Sequence, residues 1–117
     1  MIRDDWDVGP GDLMLVQFGP VRGSEQDGVR PALVISTREM HSLSRQAFVC
    51  PITRNIKPWP TKVFLPEGLA AQGAVLSDQM RAIDRRERFV RKLGQAPETC
   101  VSEVRDRVAA LLGIDFH

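Results

Sequence analysis

The 117-residue chain has only two cysteines, Cys50 and Cys100, and only two histidines, His41 and His117. The cysteines are far apart and form no Cys-x-x-Cys or Cys/His spacing, so neither a disulfide framework nor a zinc site is expected. Both thiols are read as reduced and buried. His41 falls in an expected loop and His117 is the last residue, so the histidines supply no metal-ligand cluster and are read as structural. Long apolar runs are also lacking: the longest, 13–18 and 31–35, are far below the roughly 20 residues that span a bilayer. The start, Met1-Ile2-Arg3-Asp4-Asp5-Trp6-Asp7, lacks the basic and apolar segments of a secretory signal, which predicts a cytoplasmic protein with no membrane partner. No repeat, low-complexity run or linker divides the chain. It reads as a single domain over 1–117, with 1–10 as an N-terminal extension. An excess of one charge is absent as well, 16 basic against 15 acidic side chains, so the net charge of +1 does not by itself point to nucleic acid.

What is present is the balance of an ordinary globular protein, 43% apolar and 26% charged. Segments 12–18, 30–37 and 46–53 are rich in Val, Ile, Leu and Phe and bounded by Gly, Ser, Asn and Asp, as buried strands are. Shorter strand candidates follow at 61–65, 73–77, 80–84 and 89–93. Only the C-terminus reads as helical: Val101, Val104, Val108, Leu111 and Leu112 form one stripe over 97–112, with Pro97 and Glu98 suited to its start and Gly113 to its exit. Pro51 inside the third run is a bulge signal. The fold class is mainly β (α+β), a small closed or half-open barrel of about seven strands with a C-terminal helix. Connections 19–29 and 38–45 are long and polar, a length often functional or mobile. In 55–60, Pro58 and Pro60 stiffen Trp59, whose ring either stacks on a base or packs.

Charge is unevenly distributed. Between 30 and 62 the basic residues are Arg30, Arg38, Arg45, Arg54, Lys57 and Lys62 against the single acid Glu39, and a second basic cluster runs through Arg81, Arg85, Arg86, Arg88, Arg91 and Lys92. If the two clusters meet on one face they make a positive groove for a phosphate backbone; otherwise they are scattered, solvated arginines.

Three blocks carry a more specific signal. Gly11-Asp12-Leu13 with Val16-Gln17-Phe18 leads into Arg22-Gly23-Ser24-Glu25-Gln26, Gly28 and Arg30-Pro31-Ala32-Leu33-Val34-Ile35-Ser36. Pro51-Ile52-Thr53 follows, then Val75-Leu76-Ser77-Asp78-Gln79-Met80-Arg81 with Ile83 and Asp84. Over roughly 11–92 the chain closely resembles the MazF/PemK toxin family. The resemblance implies an SH3-like barrel and a homodimer. It also implies a sequence-specific endoribonuclease that cuts single-stranded RNA without metal or other cofactor, and a cognate antitoxin with an acidic, disordered tail. The family's catalytic arginine falls on Arg30 and its catalytic threonine on Thr53. Phe18 and Gln79 match positions that line the RNA groove, and Asp78 precedes Gln79 in the same motif. The expected products carry 2',3'-cyclic phosphate and 5'-hydroxyl ends.

The residue types suit that chemistry. Metal-free RNA cleavage needs the 2'-hydroxyl activated, the phosphorane charge stabilised and the leaving oxygen protonated. A guanidinium binds two phosphate oxygens at once but is a poor general base, so Arg30 is assigned to charge stabilisation. Pro31 biases Arg30 toward extended backbone. Thr53, one donor with two lone pairs, suits orienting the 2'-hydroxyl or the phosphate. Some family members carry a second catalytic arginine where this chain has Leu76, so Asp78 reads either as a groove residue or as the cap of the turn after the fifth strand. Arg81 is a candidate phosphate contact, two positions beyond Gln79. Phe18 is either groove or barrel core, and Glu25 and Gln26 lie in a Gly-rich loop that is either a lid over the RNA or plain surface. Two other classes stay open: a gyrase-binding poison like CcdB, which ends in Trp-Gly-Ile where this chain has Leu112-Gly113-Ile114 and continues, and an inactive nucleic-acid or antitoxin-binding module.

Overall fold

The computed structural model describes residues 7–19 and 28–115. Seven strands are found among them: β1 (Asp12–Gln17), β2 (Val29–Val34), β3 (Gln46–Thr53), β4 (Lys62–Phe64), β5 (Ala74–Leu76), β6 (Arg81–Asp84) and β7 (Phe89–Gln95). Helices α1 (Arg38–Leu43), α2 (Arg85–Arg88) and α3 (Glu98–Leu111) and a 3-10 turn at Ser77–Gln79 complete them. None of these helices is long and apolar enough to cross a membrane.

Each expected strand is present, most of them trimmed at an end. The second stops at Val34 because Ile35 and Ser36 turn toward α1, whose N-cap Thr37 accepts from Met40 N at 3.2 Å. The expectation that only the C-terminus is helical is corrected by α1 and α2. These have six and four residues, too short for an apolar stripe, and are specified by their caps: the Asp84 carboxylate accepts from Arg86 N and Glu87 N. α3 ends in a Schellman motif, with Gly113 at φ +75°, Gly113 N donating to Ala110 O and Ile114 N to Ala109 O. Its stripe is buried at Val101 and Val104, but Leu111 and Leu112 at the end are 54% and 65% exposed.

All pairings are antiparallel, in the order β4-β5-β3-β2-β1-β7, with β6 also on β3. β3 is the branch point. Its first half pairs with β6 (Val49↔Arg81 at the limit) and its end with β5 (Ile52↔Val75, Thr53↔Ala74). Pro51, which has no N–H to donate, sits between the two pairings.

Alternation along the strands sorts the core into two layers. Met14, Val16, Ala32, Val34, Ala47, Val49, Ile83 and Phe89, from β1, β2, β3, β6 and β7, form one buried cluster inside the curled five-stranded part of the sheet. Leu13, Leu33, Cys50, Ile52, Val63 and Val75 point the other way and pack with Cys100, Val101 and Val104 of α3. The curl matters to the site, since it brings the end of β1 within reach of β6.

Candidate active site

Arg30 and Thr53 lie on the inner face. Arg30 alternates in phase with Ala32 and Val34, and Thr53 with Ala47 and Val49, all four of them in the inner cluster. The β2–β3 ladder pairs Ala32 with Pro51, Leu33 with Cys50 and Val34 with Val49. That ladder ends at Ala32 and Pro51, so Arg30 and Thr53 each lie two residues beyond its last pair and on the same face as it. Both are half-buried, at the end of the cluster where packing gives way to solvent. Val16 is the partner of Arg30 on its other side. Among the described residues no acidic side chain forms an ion pair with Arg30.

Phe18 and Arg81 join them from opposite sides. Phe18 follows β1 and packs on the inner cluster, and the Arg81 guanidinium stands 5.2 Å from its ring centroid, a cation–π contact. Arg81 Nη1 also donates to Phe18 O at 3.4 Å, a long bond that leaves most of the guanidinium unbonded. Phe18 is thus partly core, with its ring also facing the Arg81 guanidinium.

Asp78 and Gln79 are both exposed on the 3-10 turn between β5 and β6. Asp78 does not cap that turn, whose N-terminus has no side-chain cap. Ser77 holds it instead: its N and Oγ both donate to Thr61 O, at 3.1 and 2.5 Å. Asp78 lines a separate cleft of about 190 Å³ with Met80 and Val108, Leu111 and Leu112 of α3. Burial first and the Asp78 charge second push the Cys50 thiol up to about 12, so Cys50 stays a neutral, packed thiol. Burial raises Cys100 likewise. Glu25, with Arg22 and Gln26, lies outside the described residues.

The two basic stretches do not make a uniform positive groove, because many of their cations serve the fold. Arg85 is 4% exposed and donates to the carbonyls of His41, Ser44 and Arg45. Arg88 donates to Gln17 O at 3.1 Å and to Gly19 O, tying down the end of β1 beside Phe18. Arg45 pairs with Asp84, Arg38 with Asp7, and Lys92 with the buried Asp12.

His41 is in α1 rather than a loop, and it is structural. Its Nε2 is 2.6 Å from Ser36 Oγ and its Nδ1 2.8 Å from Val8 O. Val8 O can only accept, so Nδ1 carries a proton, and in the neutral imidazole that burial favours Nε2 accepts from Ser36 Oγ. Among the described residues no three acidic, histidine or cysteine side chains are grouped to hold a metal ion.

Two features near Thr53 escape a reading of residue types. Thr53 Oγ1 accepts from Asn55 N at 3.1 Å, a local turn that directs its hydroxyl proton elsewhere. Gly73, at φ +116°, lies against the same strand end, where a Cβ would fall 2.0 Å from Thr53 O. A Thr-x-Asn sequence and a Gly one residue before a short strand are the only signals either leaves. Trp59 is 64% exposed in a groove of about 440 Å³ shared with Phe64, Lys62 and Arg107.

Comparison with known proteins matches this arrangement to one family. A model described as PemK-like, MazF-like toxin of type II toxin-antitoxin system matches residues 9–112. Endoribonuclease PemK of Escherichia coli is 31% identical over 116 residues, covering 96% of this chain and 87% of that protein. Endoribonuclease toxin MazF of Escherichia coli K12 is 33% identical over 103 residues, covering 88% and 92%. A MazE-MazF crystal structure from Deinococcus radiodurans superposes with a TM-score of 0.77 at 33% identity, covering 92% of this chain and 97% of that one. The match in sequence and in fold includes β2 and β3, which carry Arg30 and Thr53, and the chain belongs to the PemK-like, MazF-like toxins of type II toxin-antitoxin systems.

Proposed function

We propose that this toxin is a metal-independent endoribonuclease that cuts single-stranded RNA at the inner-face end of β2 and β3. The 2'-oxygen attacks phosphorus, the bond from phosphorus to the 5'-oxygen breaks, and the products carry 2',3'-cyclic phosphate and 5'-hydroxyl ends. The 2'-hydroxyl proton is lost and the leaving 5'-oxygen gains one. Arg30 donates its fork to the non-bridging oxygens as charge builds on them, and Thr53 donates its hydroxyl proton to the phosphate and orients it. Phe18 supplies an aromatic wall, Arg81 a second phosphate contact, and Gln79 a polar contact to a flanking nucleotide. The single observation that carries the reading is the shared inner face of Arg30 and Thr53, each two residues beyond the Ala32–Pro51 pair, with no carboxylate among the described residues paired to Arg30. Named endoribonucleases among the relatives support the reaction class.

The protein works as a homodimer in the cytoplasm and is neutralised by a cognate antitoxin, the arrangement suggested by the MazE-MazF assembly. The antitoxin's acidic, disordered tail competes for the cationic site.

The test is incubation of the purified protein with long single-stranded RNA in EDTA, beside Arg30→Ala and Thr53→Ala, with cut ends mapped. Discrete cuts with cyclic or 3'-phosphate ends are expected from the wild type. Arg30→Ala should slow cutting about 100- to 1000-fold, the cost of removing one transition-state donor. Intact RNA from the folded wild type, across several sequences, would sink the enzyme and favour the gyrase-binding or inactive-module reading.

A further inference from the structure

By charge and position Lys62 counts among cations available to RNA. Its ammonium is already committed to the chain, with Nζ donating to Asn55 O at 2.8 Å and to Lys57 O at 2.8 Å. Those two carbonyls bracket a turn that Asn55 closes from inside, its Oδ1 accepting from Lys57 N at 3.0 Å. The amide that opens the turn, Asn55 N, is the one that donates to Thr53 Oγ1 at 3.1 Å. Lys62 is itself held at both of its backbone groups: its N donates to Trp59 O at 3.0 Å, and its O accepts from Arg107 Nη1 of α3 at 3.1 Å. It also pairs with Leu76 of β5, the strand whose Ala74 faces Thr53. A continuous path of hydrogen bonds thus runs from the packed sheet and helix, through one ammonium, to the hydroxyl of Thr53.

We infer that Lys62 is a positioning residue for Thr53. It clamps the 55–57 turn so that the Asn55 N–H occupies one lone pair of Thr53 Oγ1, and the single hydroxyl proton is left to point at the scissile phosphate. The inference rests on the ribonuclease reading. Its physical basis is that 54–60 is exposed along its whole length and has little packing to hold it. Released from the clamp, that backbone regains the conformational freedom that ordering removes, and the Asn55 amide no longer has a fixed place. A displacement of about 1 Å in a group that orients a reacting phosphate costs on the order of 100-fold in rate.

The experiment compares wild type, Lys62→Met and Asn55→Ala in steady-state cleavage of a short single-stranded RNA. Binding of the same RNA, made uncleavable by a 2'-deoxy substitution at the cut, is measured against salt. Lys62→Met keeps the aliphatic stem and loses the ammonium, while Asn55→Ala breaks the same turn without changing charge. Both should lower kcat by about tenfold or more with KM within about twofold, the split expected when positioning and not binding is lost. The slope of log binding constant against log salt should be unchanged in Lys62→Met. A slope shallower by about 0.7 would mean that Lys62 neutralises a phosphate, and would overturn the inference. Wild-type kcat in either variant overturns it too. Intact RNA with the wild type overturns the ribonuclease reading, and this inference with it.

Discussion

Arg85 and Arg30 both come from basic stretches of the sequence, and the two ends of the sheet use them in opposite ways. At the α2 corner Arg85 is buried and donates to three carbonyls, that of His41 in α1 and those of Ser44 and Arg45 in the α1–β3 connection. At the far end of β2 Arg30 is half-buried, on the same face as Thr53, and unpaired with any carboxylate among the described residues. A guanidinium that meets carbonyls as the chain folds becomes a strut. One left at the rim of a core, with its charge uncompensated, keeps its fork for a phosphate.

The sharpest way to break that contrast is to remove the strut. Arg85→Ala strands carbonyls of His41, Ser44 and Arg45, and should destabilise the fold by about 3 kcal/mol, read from urea denaturation. The molecules that remain folded should cut RNA at the wild-type rate, whereas Arg30→Ala should leave the denaturation midpoint nearly unchanged. Equal stability losses in the two variants would erase the distinction between strut and site.

Gly73 tests the point where fold and site share one residue. Gly73→Ala places a methyl into Thr53 O and forces a side chain onto a φ of +116°, so it should cost about 2 kcal/mol and slow cleavage as well. A variant that loses stability but keeps full kcat would show that the strand end tolerates displacement.

The smallest effect is a pH dependence at the α1 end. Burial holds the His41 imidazole below its ordinary 6.5, with the Val8 carbonyl opposing and Arg85 and Arg38 adding to the depression. Because the unfolded chain takes up the proton first, the stability that neutral His41 contributes is complete above the ordinary value and is lost as pH falls through it toward the lower folded value. The urea midpoint should therefore drop between pH 7.5 and 5.5, and less steeply in His41→Gln. Parallel profiles would place the titrating group elsewhere. Asp84 acts only at lower pH: burial raises its carboxyl, but the bond from Arg45 and those from Glu87 N and Arg86 N outweigh it and hold it low.

The longer inner strands β1 to β3 were legible because they are rich in Val, Ile, Leu and Phe that must be buried, and α3 because its stripe repeats over several turns. The two short helices were not, since four to six residues carry no period and their caps look like any Thr or Asp in a loop. Arg30, Thr53, Phe18 and Arg81 were legible as residue types in a motif, and the fold brings them to one face. Asp78 was legible only as part of the motif, and the fold turns it toward the end of α3.

By itself the sequence determined which segments had to be buried, and so the number of strands, the terminal helix and the phase of Arg30 and Thr53 relative to the apolar residues beside them. Only the tertiary structure decided which cations were left for a ligand. Whether a guanidinium or an ammonium meets a backbone carbonyl depends on where distant segments come to rest, as Arg85 meets the α1–β3 connection and Lys62 the turn beyond Thr53. No local pattern of residue types encodes that meeting, because the acceptor is a carbonyl that every residue carries.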